Sequence, residues 1–278
     1  MGYFKTFILM FLIILLFVFI GYGIAGEIGI LVCFVIAFLS NIAAYWYSDK
    51  VILTIYKAKI VSKNNYPELH RIVLELTREA KIPMPSIYMI EEDSPNAFAT
   101  GRNPSNSAIA VTRGLMEILN QRELRGVLAH ELAHVINRDI LIATISAVFA
   151  AAISSLASFA LFFGSRGSNR QLNPIFILIL ALVTPLAASV IQMAISRSRE
   201  FEADRVGALL TKDPLSLASA LAKISSISRS ERFKTAEEHP ETAQMMIISP
   251  LLKRGFRDLF STHPPTVERI QKLNEMAN

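Results

Sequence analysis

Four stretches of this chain are long, apolar and nearly free of charge, and the polar residues are gathered between them. Residues 3–20 are apolar apart from Lys5 and Thr6. Residues 28–47, 140–163 and 174–196 carry no charged side chain in 28–47 and 140–163, and none before Arg197 in the last. At ~1.5 Å per residue such runs reach ~27–36 Å, the thickness of a hydrocarbon core, so the pattern predicts four transmembrane helices. Tyr45-Trp46-Tyr47 closes the second run, where an aromatic cluster suits the membrane–water interface. Pro185, near the middle of the fourth run, predicts a kink. A cleaved signal peptide is the alternative for the first run. No A-x-A-like site follows it, however, and the second run begins almost at once.

The polar parts carry shorter periodicities. Pro67 opens a helix over 68–80, with Leu69, Ile72, Val73 and Leu76 at i, i+3, i+4, i+7 spacing, and Ile82-Pro83-Met84-Pro85 stops it. Residues 86–90, 96–101 and 108–112 read as short strands, a sheet of about three. Residues 111–119 turn into a short helix. A longer helix from Gln121 then runs through Asp139 and on into the third apolar run as one continuous element. Residues 197–229 read as helical, and 230–250 as a polar, irregular and mobile loop. The chain ends in a Pro-started helix with Val267, Ile270 and Leu273 inward. The expected fold is mainly α, a membrane α+β protein with no internal repeat. It divides into two N-terminal transmembrane helices (1–47), a first polar part (48–139), a transmembrane hairpin (140–196) and a second polar part (197–278).

Composition agrees with this division. Hydrophobic residues are 52% of 278 and charged residues only 18%, a membrane-protein balance. The net charge of +5 comes from no basic block, which argues against a nucleic-acid partner. With four spans both termini share a side with Lys5, Lys50, Lys57, Lys59, Lys63, Arg122, Arg125, Arg138, Arg197, Arg199 and Arg205. The far side holds only Arg166 and Arg170. The positive-inside rule then makes both termini and the polar parts cytoplasmic, in a multi-pass protein of the cell membrane. A lone cysteine, Cys33, allows no intrachain disulfide, in keeping with a reducing compartment.

The chemistry lies just before the third apolar run. His130-Glu131-Leu132-Ala133-His134 puts two imidazoles one helical turn apart on one face, where both reach a single Zn²⁺. Glu131 stands beside them, as a general base for the attacking water. A catalytic zinc usually takes three protein ligands. If the third and fourth runs form a hairpin, Glu200 arrives at the height of His134, and Asp204, one turn on, can accept an N–H from a ligating histidine. Ion pairing of Glu200 and Glu202 with Arg197, Arg199 and Arg205 at the interface is the other reading. His70 reads as a solvated residue of a surface helix. Two further function classes stand beside this one. A non-catalytic membrane scaffold with structural zinc would want four protein ligands, and only three good ones are present. A metal transporter would place His or acidic residues inside the spans, which hold none.

Three segments together, His130 to Asp139, Ser196 to Asp204 and Ser261 to Arg269, resemble the HtpX-type membrane zinc endopeptidases, relatives of the CaaX prenyl proteases. Asn96-Ala97-Phe98-Ala99-Thr100-Gly101 is similar to that family's substrate-binding edge strand. The resemblance spans nearly the whole chain. It implies a zincin-like catalytic domain with one Zn²⁺ on His130, His134 and Glu200, and Glu131 as base. It also implies a metalloendopeptidase acting in quality control of misfolded or damaged membrane proteins, a stress-response role. Its partners would be membrane-protein or unfolded polypeptide substrates and the lipid bilayer. Substrate would lie extended along Asn96, Ala97, Phe98 and Ala99, with Asn96 fixing a backbone group. Two readings of His263 stand: a donor to the developing oxyanion, or a helix-start residue held by Pro264 and Pro265. Asn137 and Asp139 either orient the site or cap the helix.

Overall fold

A computed structural model of the chain describes residues 2–150, 197–227, 233–239, 242, 245–248 and 264–277. The first element, α1 (Gly2–Ile55), is helical throughout, yet it cannot be straight. The Asn41 side chain donates to the Met10 carbonyl at 3.1 Å, whereas 31 residues of straight helix would separate them by ~46 Å. The chain folds back near Gly26, whose φ of +59° is cheap only for glycine. The second arm, Gly26–Ile55, is the one helix among the described residues long and apolar enough to cross a membrane, while Thr6–Phe19 is apolar but shorter. Phe7, Phe11, Phe19, Ile28, Leu31 and Phe38 are all exposed on this hairpin, a surface that lipid covers and water would not. The predicted third and fourth spans fall mostly in residues 151–196, outside the described residues.

Following α1 come β1 (Lys59–Ile60), α2 (Pro67–Ala80), β2 (Ser86–Ile90), β3 (Ala97–Asn103) and β4 (Asn106–Thr112). The apolar positions predicted for α2 are buried together, as the helical spacing requires. The sheet has four strands, not about three. The two-residue β1 pairs antiparallel with β2 and is too short to show an alternating pattern. The order β1-β2-β4-β3, with β2 and β4 parallel and β3 antiparallel to β4, leaves β3 on an edge. At the tip of the β3–β4 hairpin the Arg102 guanidinium lies 4.4 Å from the centre of the Trp46 ring, which ties the hairpin to the aromatic end of α1.

The predicted short helix is α3 (Arg113–Ile118), and α4 (Gln121–Ile136) is the central helix, packed against β3, α2 and the two helices that follow the undescribed region. An N-terminal capping box of Asn120 and Glu123 starts α4. The buried Glu123 carboxylate also accepts from Ser219 and Lys223, each at 2.7 Å, which clamps α4 to α7 (Pro214–Ile227).

The expected continuous helix through residues 139–140 is not formed. The α4 helix ends at Ile136, and α5 (Ile140–Ala150) leaves at 89°. Arg138 takes a left-handed conformation, with its N–H on the Val135 carbonyl and the Asp139 N–H on that of His134. This double closure is a Schellman motif built without the glycine that would have announced it. The α5 helix packs Leu141 and Ile145 against Leu9 and Ile13 of the α1 hairpin.

Helices α6 (Arg197–Thr211), α7, α8 (Lys234–Glu238) and α9 (Thr266–Glu275) complete the described chain. The α9 face differs in part from the one its apolar residues suggest. Leu273 is buried and Ile270 packs against the core, but Val267 is 74% exposed and Arg269 is buried instead. Apolar periodicity misses that position because it holds a charge.

Close approach of α6 to α4 depends on Gly207. A Cβ there would sit 3.0 Å from the His130 backbone nitrogen and 3.1 Å from its Cα. Since α6 carries Glu200 and α4 the histidines, Gly207→Ala should push the two helices apart. The expected cost is ~1–3 kcal/mol of stability, with weakened zinc retention. A denaturation series and a metal-competition titration check it; unchanged affinity and stability would show that the interface can yield.

Candidate metal centre

Two turns of α4 and one of α6 bring three ligand atoms together. His130 Nε2 and His134 Nε2 face each other at 3.2 Å. Glu200 lies 3.8 Å from the first through Oε2 and 3.5 Å from the second through Oε1. Ligand atoms of all three residues lie within 4.8 Å of one another. The outer nitrogen of each ring is held by a carboxylate: His130 Nδ1 is 2.9 Å from Asp204 and His134 Nδ1 is 3.5 Å from Asp139. With both outer nitrogens donating to the carboxylates, the two inner lone pairs point at each other, an arrangement that suits a cation between them. Two imidazoles and one carboxylate, with no cysteine, form the donor set of a catalytic zinc site with an open position. The residues present therefore fit the metal.

Burial alone would lower His134, but Asp139, Glu200 and Glu131 outweigh it and raise it to about 9. Burial pushes His130 down, more than Asp204 pulls it up, which favours the neutral ring that ligation requires. Burial also raises Glu131 to about 7 against the pull of His134. A bound dication would bring it back down towards the range of a working base. Glu131 further accepts a hydrogen bond from the Ala99 backbone of β3, so the base and the sheet edge are joined.

Arg269 is the residue that sequence patterning missed. It is 1% exposed and grips Asp204 through two nitrogens, Nε at 2.8 Å and Nη2 at 2.7 Å. Its Nη1 lies 3.5 Å from Glu200 and donates to the Ile247 carbonyl at 2.8 Å. Burial would raise the Asp204 carboxyl, yet Arg269 and His130 hold it at about 2. Arg269 closes the segment Ser261 to Arg269, but apolar spacing gives no signal for a buried arginine, because it counts only apolar positions as inward.

The other expected residues are placed as follows. Asp204 supports His130 as expected, whereas the support of His134 falls to Asp139 and not Asn137. Asn137 caps α4, and its buried amide nitrogen has no hydrogen-bond partner among the described residues. His263 lies outside the described residues. On β3, Ala97 and Ala99 direct backbone groups to the free edge, and the Phe98 ring stacks inward on Tyr56, 5.4 Å between centres. Asn96 is fully buried, with its amide on Ile247 and Ile248.

Comparison with known proteins agrees with this geometry. Residues 63–277 match the model of peptidase family M48. A protease HtpX homologue of Methylibium petroleiphilum is 55% identical over 273 residues, 98% of this chain and 96% of the relative. One from Paraburkholderia phytofirmans is 54% identical over 274 residues, with the same coverage. The crystal structure of S. mikatae Ste24p aligns with a TM-score of 0.50 at 21% identity, over 86% of this chain and 57% of that one, a likeness of fold.

Proposed function

This chain belongs to peptidase family M48, and from that premise we propose that it is an integral-membrane zinc endopeptidase cutting misfolded or unfolded polypeptides at the membrane face. The observation that carries this reading is the convergence of His130, His134 and Glu200 beside a base, Glu131, that is bonded to the backbone of an edge strand. An edge strand offers unpaired N–H and C=O groups to any extended peptide, a mode of recognition that is independent of side-chain sequence.

His130, His134 and Glu200 would hold the ion, which would polarise the scissile carbonyl and acidify the attacking water. Glu131 takes the water's proton and passes it to the leaving amine. Asp204 and Asp139 fix the two rings so that their Nε2 atoms stay aimed inward. The β3 edge positions substrate by its main chain. His263, three residues before Thr266 in the sequence, is proposed as a donor to the developing oxyanion. Chelation should abolish cleavage of an unfolded polypeptide and release the two inner nitrogens to a proton. Stoichiometric zinc, one ion per chain, should restore cleavage. Activity that survives exhaustive chelation would refute the zinc mechanism.

A multi-pass topology with a cytoplasmic site and cytoplasmic termini is part of the proposal. Its support is the lysine-rich stretch after the Gly26–Ile55 arm and the apolar packing of α5 on the α1 hairpin. A reporter fused to the C-terminus and active only outside the cell would overturn it. A role in membrane-protein quality control is part of the same proposal and follows from the substrate class.

A further inference from the structure

The free edge of β3 is not empty. The Asn96 carbonyl accepts from Thr112 on the β4 side, so by alternation Ala97 and Ala99 address the free edge. Ala99 meets Glu131 there. Ala97, ~7 Å along the strand, meets the chain's own residue Ile247. The Ile247 N–H donates to the Ala97 carbonyl at 3.1 Å and to Asn96 Oδ1 at 3.1 Å. The Ile247 carbonyl accepts from Arg269 Nη1 at 2.8 Å, and the Ile248 carbonyl accepts from Asn96 Nδ2 at 3.0 Å. Both main-chain groups of one residue are thus received, one by the strand edge and the other by the guanidinium that braces the metal ligands. A peptide residue laid beside the scissile bond would need the same reception. The Ile247 side chain is 1% exposed, in the apolar cluster that includes Ala97, Leu221 and Leu273.

We propose that Met245–Ile248 is an internal pseudosubstrate: Ile247 fills the position of a substrate residue next to the scissile bond, and a substrate must displace it to reach the edge of β3. The inference rests on the protease reading above. The segment is held for exchange rather than built into the sheet. Among the described residues its one backbone bond to β3 is that of Ile247, and the remaining bonds come from side chains that would serve an incoming peptide equally well. Such bonds are individually modest when water or a peptide can replace them. Met245 and Met246 beside it are adaptable fillers rather than branched, shape-locked ones. The cavity that Ile247 vacates is the substrate's side-chain pocket and suits a branched aliphatic residue.

The test uses the zinc-loaded full chain with Cys33→Ser, Ile247→Cys and Glu131→Gln, so that the single thiol sits on the segment and peptide is not consumed. A short unstructured peptide with a central Ile, at a saturating concentration, should raise the rate of maleimide labelling severalfold, towards the reciprocal of the fraction of chains already displaced without peptide. A peptide with Asp at that place should raise it far less. Ile248→Cys serves as a second reporter should Ile247→Cys fail to fold. Unchanged labelling of a folded reporter, whether or not peptide binds, overturns the proposal. Cleavage of the same peptide by the chain with Glu131 intact reads the protease function separately. Cleavage without a labelling change sinks the pseudosubstrate alone, and labelling without cleavage sinks the protease reading.

Discussion

Glu131→Gln will lower the rate of peptide cleavage by ~10²–10⁴-fold, the usual contribution of a positioned general base. The substitution keeps the size of the side chain and an oxygen that can still accept the Ala99 N–H, so β3 should stay in place. It removes the carboxylate proposed to take the proton of the attacking water. Zinc content should be unchanged, since His130, His134 and Glu200 are intact and each ring keeps its carboxylate. Parallel measurements of metal content, thermal unfolding and cleavage separate the outcomes. A variant that holds zinc, melts normally and still cuts within a few-fold of the parent would remove Glu131 from the mechanism.

Arg269→Met will have the largest effect on stability, ~3–5 kcal/mol, because it strands the buried Asp204 carboxylate without its bidentate partner. Adding Asp204→Asn should recover much of that loss, since the pair then leaves no naked charge. Zinc affinity should not recover with it, because the carboxylate behind His130 is gone, and such supports are worth ~10–100-fold in metal binding. Denaturation in detergent and a zinc-competition titration on both single variants and the double variant give the cycle. Additive losses in stability would mean that the two residues do not act as a pair. The sign of the pH dependence follows from Asp204. Its carboxyl is depressed to about 2, so its contribution is complete above the ordinary carboxylate range and is lost as pH falls from ~4 towards 2. In the metal-free chain, acid unfolding should move to higher pH when Arg269 is replaced.

Two pairs were legible because their spacing is local: His130 and His134 share a face by helical geometry alone, and Glu200 with Asp204 follows the same rule on a second helix. Three of the four strands and the buried face of α2 were legible for the same reason. Joining the two pairs took the hairpin argument and the resemblance, because 66 positions separate His134 from Glu200. What was not legible depended on long-range partners. The 89° bend after α4 came from a Schellman closure at Arg138, where no glycine marks the stop. Because of that bend, Asp139 turns back to His134 at the start of α5 instead of lying midway along one continuous helix, and Asn137 is left as a cap. The fold-back near Gly26 was expected as a loop between two spans and is instead a sharp reversal within continuous helix.

Arg269 and Ile247 show the limit most clearly. Patterning assigns Arg to water and Ile to the core, and neither assignment says which partner waits there. By itself the sequence determined the apolar runs, the buried face of α2 and the pairing of His130 with His134 on one helix face, because each is a relation among residues a few positions apart. Only the tertiary structure decided that a buried arginine binds Asp204 and that Ile247 lies on the substrate edge. Those contacts join residues 65 and 151 positions distant, and only the packing of α4, α6 and α9 around β3 brings them within hydrogen-bond reach.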